Sequence, residues 1–239
     1  MPFWKHTAEL RRRLLISAAA LLVTSIPAFL FRDHVMAFTL AQSRVTSLAF
    51  IHPTEPLTSY LKLSVSIGFL SSLPIIALQA WRFLCPGLTD GERRAIAGAA
   101  VLGGILFYVG CAFGFLVVSR AALSFLLSMA GSSLQEHITI GNYVSFITGL
   151  TLLLGLAFQL PIVIAILVRL DLVSVQTLRA KRRHMIVGVW ILAAMLTPPD
   201  VMSQALLAVP LMLLYELSIT IARVTERRIS PPTEVEDQG

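Results

Sequence analysis

The chain has 239 residues, 56% of them hydrophobic and only 13% charged, with a formal charge of +6 and a mean hydropathy of +0.80. That is far more apolar than a soluble domain requires, so the chain reads as a polytopic membrane protein. Its basic residues flank apolar stretches, which makes them topology signals and excludes nucleic acid as the partner.

The first expected span, 14–31, follows Arg11, Arg12 and Arg13. It is longer than the core of a cleaved export signal and no clean small-residue cleavage site follows, so it is expected to stay as a signal anchor. The second span, 57–81, carries Lys62 near its outer end, where a long stem lets the ammonium reach the interface. The third, 95–118, contains Gly110-Cys111-Ala112-Phe113-Gly114, a spacing that allows close helix approach, for internal packing more than for dimerisation. Cys85 and Cys111 have no metal-ligand spacing and no evident way to pair.

The fourth span, 143–168, buries Gln159 just before Pro161. An amide at that depth needs a partner. It bonds a neighbouring helix or faces a groove awaiting a partner's polar group. The fifth apolar run, 185–196, would make a helix of roughly 18 Å against a hydrocarbon core of roughly 30 Å. Thr197-Pro198-Pro199-Asp200 then breaks the helix, because proline lacks an amide donor and restricts the residue before it. The sixth span, 201–222, holds Glu216 near its inner end, and 223–239 is a polar tail expected to be cytoplasmic and disordered. Residues 1–222 therefore form one six-helix transmembrane domain. Pro27, Pro74, Pro161 and Pro210 lie inside four of the six spans and are expected to kink them into a curved, concave arrangement.

Charge orients the model. Lys5, Arg11, Arg12, Arg13, Arg82, Arg93, Arg94, Arg169, Arg179, Lys181, Arg182, Arg183, Arg223, Arg227 and Arg228 fall on one side, whereas Arg32, Arg44 and Arg120 fall on the other. The positive-inside rule then puts both termini in the cytoplasm, which requires the short fifth helix to cross. Nucleotide-binding, metalloprotease and serine-hydrolase motifs are missing, as are paired carboxylates in mid-membrane and an evident inverted repeat. An intramembrane enzyme thus loses ground, and so does the alternative function, a secondary transporter of a small solute.

The motifs together resemble one family. His6-Thr7-Ala8-Glu9-Leu10-Arg11-Arg12-Arg13 is similar to the H-x-x-E-L-R-x-R opening of the TatC family, the receptor subunit of the twin-arginine protein translocase. Phe50 to Pro56, Gln79-Ala80-Trp81-Arg82-Phe83, Pro86-Gly87-Leu88, Glu92-Arg93, Phe158-Gln159-Leu160-Pro161, Arg182-Arg183-His184, Thr197 to Asp200 and Leu214-Tyr215-Glu216 follow in the family's order. The resemblance covers about His6 to Arg223.

What the resemblance implies is specific. The fold would be all-α, six helices around a concave face with short helices 5 and 6, and a helix too short to span would be met by local thinning of the bilayer. The protein would be no enzyme and need no cofactor or metal. It would sit in the bacterial inner membrane as part of an oligomer, bind twin-arginine signal peptides of folded cargo, act with TatA/TatB-type single-span partners and draw on the proton motive force. Glu9 and Glu92 match the carboxylates that receive the signal arginines, a task suited to guanidinium, which bonds a carboxylate through two parallel hydrogen bonds. Taken alone, Glu9 is an ordinary i,i+4 partner of Arg13 and Glu92 a solvated loop charge. Pro53, Glu55 and Asp200 match positions implicated in loop structure or assembly. Gln159 stands where the family commonly has Glu, leaving a polar docking point for a partner helix but no protonatable group there.

Overall fold

The structure is a computed structural model that describes residues 3–43, 45, 47–84, 90–129, 137–169, 172–197 and 200–229; the side chains of residues 3–6, 84, 90–96, 196 and 224–229 lie outside that description, as do Cys85 and the tail beyond residue 229. The described chain is all helical. In order it forms α1 (Phe3–Leu30), α2 (Arg32–Ala41), α3 (Glu55–Leu84), α4 (Asp90–Phe113), a π-helical turn (Gly114–Val118), α5 (Ser119–Ser128), α6 (Ile140–Ala157), α7 (Leu160–Arg169), α8 (Val175–Ala180), α9 (Arg182–Leu196) and α10 (Val201–Ile229). Thr7–Leu30, Glu55–Phe83, Ala97–Ser128, Ile140–Arg169 and Val201–Arg223 are long and apolar enough to cross a membrane.

The prolines divide into two groups. Pro27, Pro74 and Pro210 lie within helices that continue through them. At Pro161 the fourth span breaks: α6 ends, Phe158 and Gln159 form a turn, and Pro161 takes the second position of α7, where its missing N–H would have no intrahelical acceptor in any case. The third span is interrupted too, by the π-helical turn, for which neither proline nor periodicity gives warning. Three short helices lie outside the six expected spans: α5, which carries the third span on to Ser128, and α2 and α8, which are anchored by tyrosine. Tyr143 Oη on α6 donates to the Thr39 carbonyl of α2 at 2.9 Å, and Tyr215 Oη on α10 donates to the Leu178 carbonyl of α8 at 2.8 Å.

Three apolar clusters stack along α6, α7 and α10. Ile140, Tyr143, Val144 and Ile147 pack with Met36, Val45, Leu63 and Leu123. Leu150 and Leu154 meet Val118, Val189, Ala193, Leu207 and Leu211. Ile164 and Val168 meet Val175, Tyr215, Ile219 and Ala222, with Met185 against them. α1 stands apart, packed along α3. Of its most apolar stretch only 6% is buried, against 44% for α10, so α1 presents most of its surface outward.

These clusters fix the reach of the short arm. α9 has 15 residues, about 22 Å of helix. Through Val189 and Ala193 it shares a buried cluster with Leu150 and Leu154 of α6, and only about 5 Å of α9 lies beyond Ala193, whereas about 15 Å of α6 precedes Leu150. The tip of the α9–α10 hairpin therefore stops well short of the end where α6 begins. α10 itself is longer than a short sixth helix: it runs 29 residues, and its polar Arg- and Glu-containing end stays helical through residues 223–229 of the expected tail.

Candidate functional site

At one end of α1 and α3 lies a cavity of about 480 Å³ lined by Ala8, Glu9, Arg12, Arg13, Ile16, Gln79 and Arg82. The helical period creates it. Residues 8, 9, 12, 13 and 16 share one face of α1, and 79 and 82 share one face of α3. Inside it, Arg13 Nε donates to Glu9 Oε1 at 3.1 Å and Nη2 donates to the same oxygen, while Nη1 donates to Gln79 Oε1 at 3.4 Å. One guanidinium thus spans a carboxylate on its own helix and a carboxamide on the neighbour. The Arg13 and Glu9 side chains are 19% and 34% exposed, and Gln79 is buried at 8%. Arg12 and Arg82 are exposed at the rim.

The i,i+4 pairing of Glu9 with Arg13 is what the sequence alone suggests. Gln79 is what it misses. Its signal is its place in the Gln79-Ala80-Trp81-Arg82-Phe83 motif, a carboxamide at the end of a mainly apolar span and one turn before Arg82. Glu92 lies in the first turn of α4, and its side chain lies outside the described residues.

At the opposite end of α3, Glu55 closes the first long connection onto the second. Its Oε2 accepts from the Ile51 N–H at 2.9 Å and its Oε1 from the Gly141 N–H at 3.0 Å, at the start of α6. A Cβ at residue 141 would come within 2.8 Å of Glu55 Oε1, so a side chain there would displace the carboxylate from this bond. A bridge between Ala49 and Thr139 runs alongside. Pro53 is exposed in the turn that closes with Glu55 N–H donating to the His52 carbonyl at 3.0 Å, a position where fixed φ favours the turn. Asp200 caps α10: its Oδ1 accepts from the Ser203 N–H at 2.7 Å. Pro53 and Glu55 lie together before and at the start of α3, whereas Asp200 lies at the start of α10.

Gln159 occupies the turn between α6 and α7 and points to α4, donating from Nε2 to the Gly103 carbonyl at 2.9 Å. One of the two amide hydrogens is thereby used within the chain. Lys62 donates to Ser145 Oγ at 2.8 Å, and Arg182 to Glu216 Oε2 at 2.8 Å. Gly110 and Gly114 face α6 rather than outward: a Cβ on Gly110 would lie 2.7 Å from the Leu154 carbonyl oxygen, and one on Gly114 3.1 Å from that of Leu150. Among the described residues no group of three His, Cys, Asp or Glu gathers as for a metal ion.

Comparison with known proteins converges. A family model described as Sec-independent protein translocase protein (TatC) matches residues 5–210. A Sec-independent protein translocase protein TatC of Carboxydothermus hydrogenoformans is 38% identical over 226 residues, 93% of each chain. That of Aquifex aeolicus is 35% identical over 234 residues, covering 95% of this chain and 97% of its own. A crystal structure described as a twin arginine translocase receptor, TatC, superposes with a TM-score of 0.81 at 34% identity, covering 93% of this chain and all of that one.

Proposed function

The chain belongs to the TatC family of Sec-independent protein translocase proteins, and from that premise we propose that its Glu9 cavity, with Glu92, receives the arginines of twin-arginine signal peptides. The chain is a multi-spanning membrane component of a protein translocation system. In the proposed reading both termini are cytoplasmic, the membrane is the bacterial inner membrane, and the chain acts within an oligomer. Folded cargo is exported with TatA/TatB-type single-span partners, using the proton motive force. Gln159 is the proposed docking point for a partner helix.

The observation that carries the reading is the guanidinium already seated between Glu9 and Gln79. A site that holds one arginine through two acceptors has the chemistry to hold another, and an ammonium cannot imitate the fork. On the charge-assisted scale, each lost interaction weakens binding by about tenfold to a hundredfold. Glu9→Ala and Glu92→Ala should each lower cross-linking to an Arg-Arg signal peptide in membranes while leaving the amount of inserted protein unchanged. If neither does, the two carboxylates are not the readers.

A further inference from the structure

We infer that Arg13 is an internal occupant of the arginine site and that Gln79 is its second reader: an incoming guanidinium exchanges with that of Arg13, which sets the threshold for binding, and Gln79 with Glu9 sets the preference for arginine. This rests on the reading of Glu9 proposed above. Three observations carry it. The Arg13 guanidinium engages Glu9 Oε1 through Nε and Nη2 and Gln79 Oε1 through Nη1, so both acceptor side chains of the cavity are engaged by the kind of group the site is proposed to bind. Gln79 is more than nine-tenths buried and lines the cavity. And the cavity remains about 480 Å³ with Arg13 in place, which leaves room for a second side chain to enter before the first has left.

A purely structural role for Arg13, clamping α1 to α3, is not required by the packing. The two helices are joined deeper down, where Thr24 Oγ1 donates to the Gly68 carbonyl at 2.8 Å and Ser25 stands directly over Gly68. α1 therefore stays docked when Arg13 lets go.

Exchange has a quantitative signature. An occupant that excludes every ligand equally multiplies all apparent dissociation constants by the same factor and leaves their ratio alone. Present about 70 to 90% of the time, it weakens each by about three- to tenfold. Selectivity instead follows from acceptors that only a planar fork can use together. Arg13 and Gln79 are thus separable by measurement.

The test is competition binding of a synthetic Arg-Arg signal peptide and its Lys-Lys counterpart to the full chain in native membrane vesicles. Arg13→Met should tighten both peptides by about three- to tenfold with their ratio unchanged. Arg13→Lys, which keeps the charge but cannot span both acceptors, should recover part of that gain. Gln79→Met should narrow the Arg-Arg to Lys-Lys ratio by about threefold or more, since a hydrogen bond to a charged group is lost for one peptide only. In a Glu9→Ala background the Arg13 effect should vanish. If Glu9→Ala weakens binding but Arg13→Met fails to tighten it, the occupant inference is wrong while the site stands. If Met tightens and Lys does not, the effect is net charge and the inference is equally overturned. If Glu9→Ala changes neither peptide, the proposed site itself fails.

Discussion

Gly110→Ala, set against Gly104→Ala, measures how closely α4 and α6 approach in the membrane. A Cβ at residue 110 would meet the Leu154 carbonyl oxygen at 2.7 Å and Phe158 Cγ at 2.7 Å, whereas at residue 104 nothing lies within 4 Å. The oxygen belongs to helix backbone and cannot swing aside, so the two helices have to part by roughly 0.7 Å to restore ordinary contact, and such overpacking typically costs about 1 to 3 kcal/mol. Both substitutions gain the same helix propensity, at most about 1 kcal/mol, and that gain cancels in the comparison. Gly110→Ala should therefore be less stable than Gly104→Ala by about 1 to 3 kcal/mol. Unfolding of the purified chain in mixed micelles, titrated with a denaturing detergent, gives the difference directly. Equal stability within about 0.5 kcal/mol, the ordinary scatter of neutral substitutions, would refute the close approach and return Gly110 and Gly114 to the dimerisation reading.

Glu55→Gln supplies only one acceptor where two backbone donors wait, and Glu55→Ala none, so amide exchange at Ile51 and Gly141 should accelerate in both and more in Ala; unchanged protection would show that the carboxylate does not tie the loops. Gln159→Leu removes the bond to Gly103 and should destabilise the α4–α7 contact by about 0.6 to 1.7 kcal/mol, the range for hydrogen bonds inside membranes, while lowering cross-links to a single-span partner. Loss of stability with intact cross-links would leave Gln159 as a packing amide. In a background without Cys85 and Cys111, single cysteines at Ser47 and His137 should label with an impermeant thiol reagent from outside, and those at Thr177 and after Gly239 should not. Outside labelling beyond Gly239 would mean that α9 does not cross.

Most of the spans are legible in the sequence because lipid imposes one rule, that backbone polar groups be satisfied internally, and a long apolar run is its direct expression. α2 and α8 are not, because each is short and owes its place to tertiary contacts, among them one distant tyrosine hydroxyl. Three of the four prolines fail to interrupt the helical assignment, since a freed carbonyl in a membrane helix is readily satisfied by its neighbours, while Pro161 does coincide with a break. At the candidate site both Glu9 and Gln79 stand in recognisable motifs, but only Glu9 is given a role there, because that of Gln79 comes from lying across the cavity from a residue 66 positions away in sequence.

The π-helical turn at Gly114–Val118 has a bearing on how this chain can vary in length. A π turn takes up one residue more than an α turn, bonding i to i+5 where the α-helix bonds i to i+4. A chain one residue shorter within 114–118 could close as plain α-helix with the faces on either side still in phase. Gly110 would keep its seat against Leu154, and Ala122 and Leu123 would keep theirs in the interior. The same deletion at Val101 would swing everything before or after it by about 100°, turning a buried face to lipid. The third span can thus absorb a deletion in the stretch that touches Leu150 and Leu154, so gaps in alignments with relatives of different length should gather at 114–118.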